Sequence, residues 1–228
     1  MSVRSRVAFA TGVAGLAGAT LMFSGRYDGS IALALIFVFA ARSSVAWTVL
    51  EGGPVLAGRA ERSLARQMRF APAWALVAAA GAVRSGSTSL ADIRGANAVA
   101  GLALARGSTV SVAGAWLALA AGVIAIVNFS PIGAETASVT GATGLIVPPV
   151  PLRRLEAAGI VAQAALVVTL FAGPQITGGI DAAWWVAGVA AIAAIAWRVR
   201  QMNIRDLSWI ATAAAAAGLA LVIAGGGP

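Results

Sequence analysis

Apolar residues run through this chain in long blocks, separated by short polar stretches that carry most of the charge. The blocks cover residues 7–23, 31–50, 70–83, 110–127, 155–171, 182–197 and 207–224. Most approach the roughly 20 apolar residues that a helix needs to cross a bilayer core. None alternates apolar and polar positions with a period of two, and Ala, Leu, Val and Gly dominate. The blocks therefore predict transmembrane helices and not barrel strands. The expected fold is all-α: a polytopic membrane helical bundle of seven spans, forming a single integral membrane domain over residues 1–228. A signal peptide, with Arg4 and Arg6 as its basic start, is the rival reading of the first block. No small-x-small cleavage pattern precedes the second block, and further spans follow.

The polar breaks differ in kind. Residues 51–69 carry Arg59, Arg62, Arg66 and Arg69, spaced three, four and three apart. On a helix that spacing forms one stripe, with Leu64 and Met68 turned the other way. The stripe suits either anionic headgroups or a soluble partner. Residues 85–107 are mixed and predict an interfacial or re-entrant helix, N-capped by Ser89 or Thr88. Residues 128–152 form a polar connector with Glu135, Pro148, Pro149 and Pro151; Arg153, Arg154 and Glu156 follow at the start of the fifth block. Gly173-Pro174 ends that block. Trp184, Trp185 and Trp197 flank the sixth as an aromatic belt.

Composition sharpens this picture. Hydrophobic residues make up 60% of the chain, charged residues 11%, and the mean hydropathy is +0.89. A soluble domain of this length needs far more polar surface. There is no Cys and no His, which excludes His/Cys metal sites and Ser-His or Cys-His catalysis within the chain. Neither a catalytic set nor a metal set is visible. All 16 basic residues are Arg and the net charge is +8. In a membrane protein that charge reads first as orientation, not as nucleic-acid binding. Placing the N-terminus inside gathers Arg4, Arg6, Arg59, Arg62, Arg66, Arg69, Arg153, Arg154, Arg198, Arg200 and Arg205 on the inner side. The expected location is the inner (plasma) membrane of a prokaryote, with lipid as the first partner.

Charges inside or beside spans are the costly features, so they are the functional candidates. Arg42 lies within the second block. It must snorkel, face other helices or face another subunit. A structural arginine paired with carbonyls and a functional one fit equally well. Glu51, Asp92, Glu135 and Glu156 sit near membrane boundaries as candidate proton-coupling carboxylates. For Glu135 and Glu156 a plain ion pair with Arg153 or Arg154 fits as well.

Several stretches, in order, resemble the membrane subunit that joins the redox arm to the membrane arm in respiratory complex I (subunit 1, or H subunit) and in energy-converting nickel–iron hydrogenases and formate hydrogenlyases. Ala41-Arg42-Ser43-Ser44-Val45 through Leu50-Glu51-Gly52-Gly53 resembles that family's third helix and the loop after it. Arg62 through Gln67-Met68-Arg69-Phe70-Ala71-Pro72 stands where the hydrogenase branch has Arg, then Tyr-Glu-Pro, with Phe70 for Tyr and Ala71 for Glu. Ser89-Leu90-Ala91-Asp92-Ile93, followed by Asn97, resembles its Ser-Leu-x-Glu/Asp-Ile segment. Phe129, Ala134, Glu135, Val139 and Gly141 match its acidic connector, while Ser130, Gly133 and Ala137 replace acids. Arg154-Leu155-Glu156-Ala157 and Leu170-Phe171-Ala172-Gly173 resemble its Leu-Ala-Glu-Tyr helix and Leu-Phe-x-Gly end. The likeness covers roughly residues 30–210, and the first span corresponds to the family's second.

The resemblance implies a subunit with no cofactor of its own. It implies an iron–sulfur cluster in a neighbouring subunit, soluble iron–sulfur and large redox subunits as partners, and antiporter-like membrane subunits beside it. In complex I the shared cavity receives quinone. Glu135 and Glu156 keep the family's acids, and Glu51 and Asp92 add two near the boundaries. The arginines from Arg59 to Arg69, with Arg153, Arg154, Arg198, Arg200 and Arg205, become the docking face. Many carboxylates of the family's relay are replaced here, which favours anchoring over pumping. A small transporter and a purely structural scaffold are the competing readings. A transporter with Arg42 in its pathway is expected to show inverted repeats, and none is visible.

Overall fold

The computed structural model describes residues 3–24, 27–50, 54–98, 107–127, 150–172, 179–199 and 207–226. Among them the chain is helical, with one isolated bridge and no strand. The elements are α1 (Val3–Phe23), α2 (Ile31–Val49), α3 (Pro54–Ser85), α4 (Leu90–Ala98), α5 (Thr109–Val127), α6 (Val150–Phe171), α7 (Gly179–Val199) and α8 (Ser208–Ala224). Five of these, α1, α2, α5, α6 and α7, are long and apolar enough to cross a membrane. Helix α8 is apolar but shorter, at 17 residues.

The expected third span, 70–83, is not a separate element. It is the second half of a continuous 32-residue helix. At 1.5 Å per residue α3 is about 48 Å long, well beyond a hydrocarbon core of roughly 30 Å. Its first half is amphipathic. Ala60, Ser63, Gln67 and Phe70 are buried at helical spacing, while Arg62 and Arg69 are exposed. The inward arc is not the one through Leu64 and Met68. Met68 is 74% exposed, and the helix is turned by about a quarter so that Ser63 and Gln67 face inward. Pro72 lies inside the helix on an exposed position, where the loss of one ladder bond does not end it.

Helix α6 is the most enclosed of the five apolar helices and packs against α1 to α5 and α7. Its Ala164, Leu166, Val167, Leu170 and Phe171 are fully or almost fully buried. Helices α5 and α8 form the closest pair. A Cβ at Gly218 would lie 2.8 Å from the Ala118 nitrogen and the Gly114 carbonyl oxygen. Gly114 of α5 meets Gly218, Leu221 and Val222 of α8 in the same way, and Ala115, Ala118, Ala121, Ala125, Ala211 and Ala215 of the two helices are buried. In lipid, where apolar side chains gain nothing by leaving the tails, small residues join helices by letting their backbones approach.

The turns at one end are stitched together. The Ile31 nitrogen donates to the Thr88 oxygen at 2.9 Å, and the Leu90 nitrogen to the Gly29 oxygen at 3.0 Å. Ser30 caps α2 through the Leu33 nitrogen. Ser89, the residue before α4, accepts from the Asp92 nitrogen at 3.4 Å and donates to Asp28 at 3.0 Å. Ser89 is therefore the N-cap of the short helix expected in 85–107. Arg94, 5% exposed, reaches from α4 to the end of α1 and donates to the Met22 and Phe23 carbonyls, both at 3.0 Å. These are carbonyls that a helix end leaves without partners. Burial lowers the Arg94 pKa from its ordinary value, and the nearby Asp28 carboxylate opposes that shift.

Gly218→Val is expected to force α5 and α8 apart and cost about 2 kcal/mol, read as lowered thermal stability in mild detergent. Gly95, which has nothing within 4 Å of an added Cβ, is the contrasting position. Gly95→Ala is expected to stabilise α4 by about 0.5–1 kcal/mol. Arg94→Leu is expected to cost about 2 kcal/mol in the same assay by leaving the α1 carbonyls bare.

Candidate functional site

The second end of the bundle gathers the start of α1, the end of α2 and the starts of α3 and α6. A small apolar cluster of Val45, Ala46, Ala60, Leu152 and Leu155 holds them together, with Phe9, Leu50 and Leu64 packed around it. Directly inward lies a set of buried polar side chains. Arg42, Ser44 and Thr48 come from α2, Ser63 and Gln67 from α3, and Glu156 and Gln163 from α6.

Arg42 is the centre of this set, at 3% exposure. It does not snorkel out of the bundle. Its stem lies against α6, where an added Cβ at Gly159 would come within 3.1 Å of Cγ. Its guanidinium donates from Nη1 to Oε1 of Gln163, itself 1% exposed. Glu156, Gly159 and Gln163 stand at i, i+3 and i+7, which is one face of a helix. Glu156 is 8% exposed and is the one buried acid among the described residues. One stripe of α6 thus supplies a gap for the arginine stem, an amide acceptor for its head and a carboxylate one turn away. A buried guanidinium needs that kind of neighbourhood.

The neighbouring hydroxyls and amides fix α2 and α3 around this stripe. Gln67 donates from Nε2 to Ser43 Oγ at 3.0 Å and to the Phe39 carbonyl at 3.4 Å. Ser44 and Thr48 return their hydroxyls to the Ala41 and Ser44 carbonyls, both at 2.7 Å. The Gln67 contacts set the depth of α3. They put the stretch from Arg66 to Arg69 level with the middle of α2.

The arginine-rich surface lies at the same end. Arg4 and Arg6 at the start of α1, Arg62 on α3 and Arg154 at the start of α6 are exposed. Helix α7 runs antiparallel to α6, with Trp185 donating to Thr169 Oγ1 at 3.3 Å and Gly188 facing Val168. Continuing that register brings exposed Arg198 to the level of the first turns of α6. Arg69 is exposed and Arg66 partly buried. Arg59 and Arg153 stand on α3 and α6 with side chains outside the described set, and Arg200 and Arg205 lie outside the described residues.

The two candidate coupling acids among the described residues, Asp92 and Glu156, stand at opposite ends of the bundle. Glu51 and Glu135 lie outside the described residues. Asp92 is exposed at the opposite end, where it accepts from Ser87 Oγ at 2.7 Å as part of the α4 cap. Of Asp92 and Glu156, Glu156 alone is buried, on the α6 stripe that carries Gly159 and Gln163. Sequence reasoning passes over Gln163. The signal was there, an amide inside an apolar run at i+7 from a glutamate. Among the described residues no group of His, Cys, Asp and Glu is arranged to hold a metal.

No family model, curated protein or solved structure matches the chain. The family resemblance rests on the quoted motifs.

Gln163→Leu removes an acceptor from a buried guanidinium. The expected loss is about 2 kcal/mol, above the roughly 0.6 kcal/mol typical of a neutral bond between membrane helices. Arg42→Leu combined with Gln163→Leu should recover much of that loss. A double-mutant cycle on unfolding in detergent reads the coupling directly.

Proposed function

We propose that the chain is a membrane-anchor subunit of a multisubunit complex I-like or hydrogenase-like oxidoreductase. In this reading its arginine-rich end docks a soluble iron–sulfur module, and Glu156 carries any coupling to proton movement. The chain crosses the inner (plasma) membrane of a prokaryote seven times with its N-terminus inside. The second half of α3 and α8 complete the set of spans. The iron–sulfur cluster belongs to the neighbouring subunit, and any quinone to the cavity they share. Antiporter-like subunits lie beside it in the membrane.

The observation that carries this reading is the enclosed Arg42–Gln163 contact with Glu156 on the same stripe, directly beneath the exposed arginines. An enclosed carboxylate changes its proton occupancy when a nearby charge changes. A redox centre docked on the arginine face supplies such a change. Anchoring needs only the surface, and coupling needs the carboxylate.

Mild extraction from native membranes is expected to recover iron–sulfur and large redox subunits with the chain. Arg62→Glu with Arg154→Glu should lower that recovery about tenfold, equivalent to about 1.4 kcal/mol. It should also make the recovery more salt-sensitive. A stable chain recovered alone from those membranes rejects the anchor reading. Glu156→Gln in the assembled complex should leave recovery intact and reduce proton coupling. Unchanged turnover and coupling assign the chain to scaffolding only.

A further inference from the structure

Helices α1 and α7 flank α6 and leave a half-open groove between them of about 530 Å³. Its floor is a strip of α6 formed by Ala158, Ala162 and Ala165, at i, i+4 and i+7. Thr20 and Phe23 of α1 form one wall, and Trp185 of α7 stands in the other. The volume lies within the roughly 300–1,000 Å³ of ligand-binding clefts.

We infer that this groove is a binding site for one acyl chain of a membrane phospholipid. All three lining helices are long and apolar enough to cross the bilayer, so the medium outside the groove is hydrocarbon. The polar atoms at its edge are already bonded within the protein. Thr20 donates to the Leu16 carbonyl at 2.8 Å, Ser24 to the Leu21 carbonyl at 3.0 Å, and the Trp185 indole to Thr169 Oγ1 at 3.3 Å. Water entering the groove gains few partners, since a buried water needs about 3 hydrogen bonds. An alkyl chain fills the space by dispersion contact alone. The alanine floor spans eight residues, about 11 Å at 1.5 Å per residue, and accepts a straight segment of chain. The bilayer presents acyl chains at far higher concentration than any other apolar molecule, and mass action favours them.

The test reconstitutes the full chain in vesicles of phosphatidylglycerol and phosphatidylethanolamine. It is then re-extracted in mild detergent and weighed intact by native mass spectrometry. The wild type should retain one phospholipid mass. Ala162→Phe fills the groove from the floor and Ala182→Phe from the α7 wall, and each should lose that mass. Ile223→Phe, on the exposed face of α8, should keep it. If Ala162→Phe fails to fold, Ala182→Phe decides alone. Three results overturn the inference: a wild type that carries no lipid, a folded groove-filling variant with wild-type retention, or retention lost equally in Ile223→Phe. An isoprenoid mass in place of a phospholipid, on the chain released from the complex extracted from native membranes, also overturns it.

Discussion

A guanidinium enclosed by apolar helices constrains everything packed around it. It cannot lose its proton in a protein, and it carries five N–H donors on a planar fork. Arg42 is placed about two turns before the end of α2, too deep to be served by the loop beyond it. Helix α6 meets the demand with one stripe, Glu156, Gly159 and Gln163. Gly159 leaves room for the stem, Gln163 accepts from the head, and Glu156 sets a buried carboxylate one turn before Gly159. That helix is also the most enclosed of the five apolar helices. The burial of α6 and the burial of Arg42 are the same fact seen from two sides, because a polar stripe on a peripheral helix would face lipid tails.

The remaining packing follows from the shortage of large side chains. Alanine and glycine let α5 and α8 touch backbone to backbone, which is how helices associate without a hydrophobic driving force between them. The same residues on α6 leave space where no helix closes in. Small side chains therefore produce a tight seam in one place and a groove in another. What differs is the neighbour. The α5 seam faces Gly218 and alanines of α8, whereas Ala158, Ala162 and Ala165 face a gap whose walls are Phe23 and Trp185.

Much of the architecture was legible in the chain. The apolar blocks mark the helices, and Ser89 marks the start of α4, because apolar length and side-chain capping are local properties. The continuity of α3 was not legible. A basic linker and an apolar span read as two elements by composition, yet nothing between Arg59 and Phe70 breaks a helix, and Pro72 falls on an exposed position inside it. The anchoring role of Arg94 within the expected interfacial helix was not legible, since its partners, the Met22 and Phe23 carbonyls, are backbone atoms far away in the chain. Gln163 was missed for a related reason: a lone amide in an apolar run has no meaning until the residue facing it is known. Arg42 stood out as a charge inside an apolar run, and Glu156 and Asp92 as acids near membrane boundaries. Asp92 accepts from Ser87 beside the start of α4, at an exposed position.

The Arg94 contact also orders events during synthesis. The carbonyls it satisfies belong to α1, and Phe23 precedes Arg94 by 71 positions. The first hairpin, α1 and α2, therefore leaves the ribosome with an unfinished end. It stays so until α3 has been threaded and α4 has emerged to seal it. A product truncated before residue 94 would keep α1 and α2 yet lack the clasp that ties α4 to the end of α1.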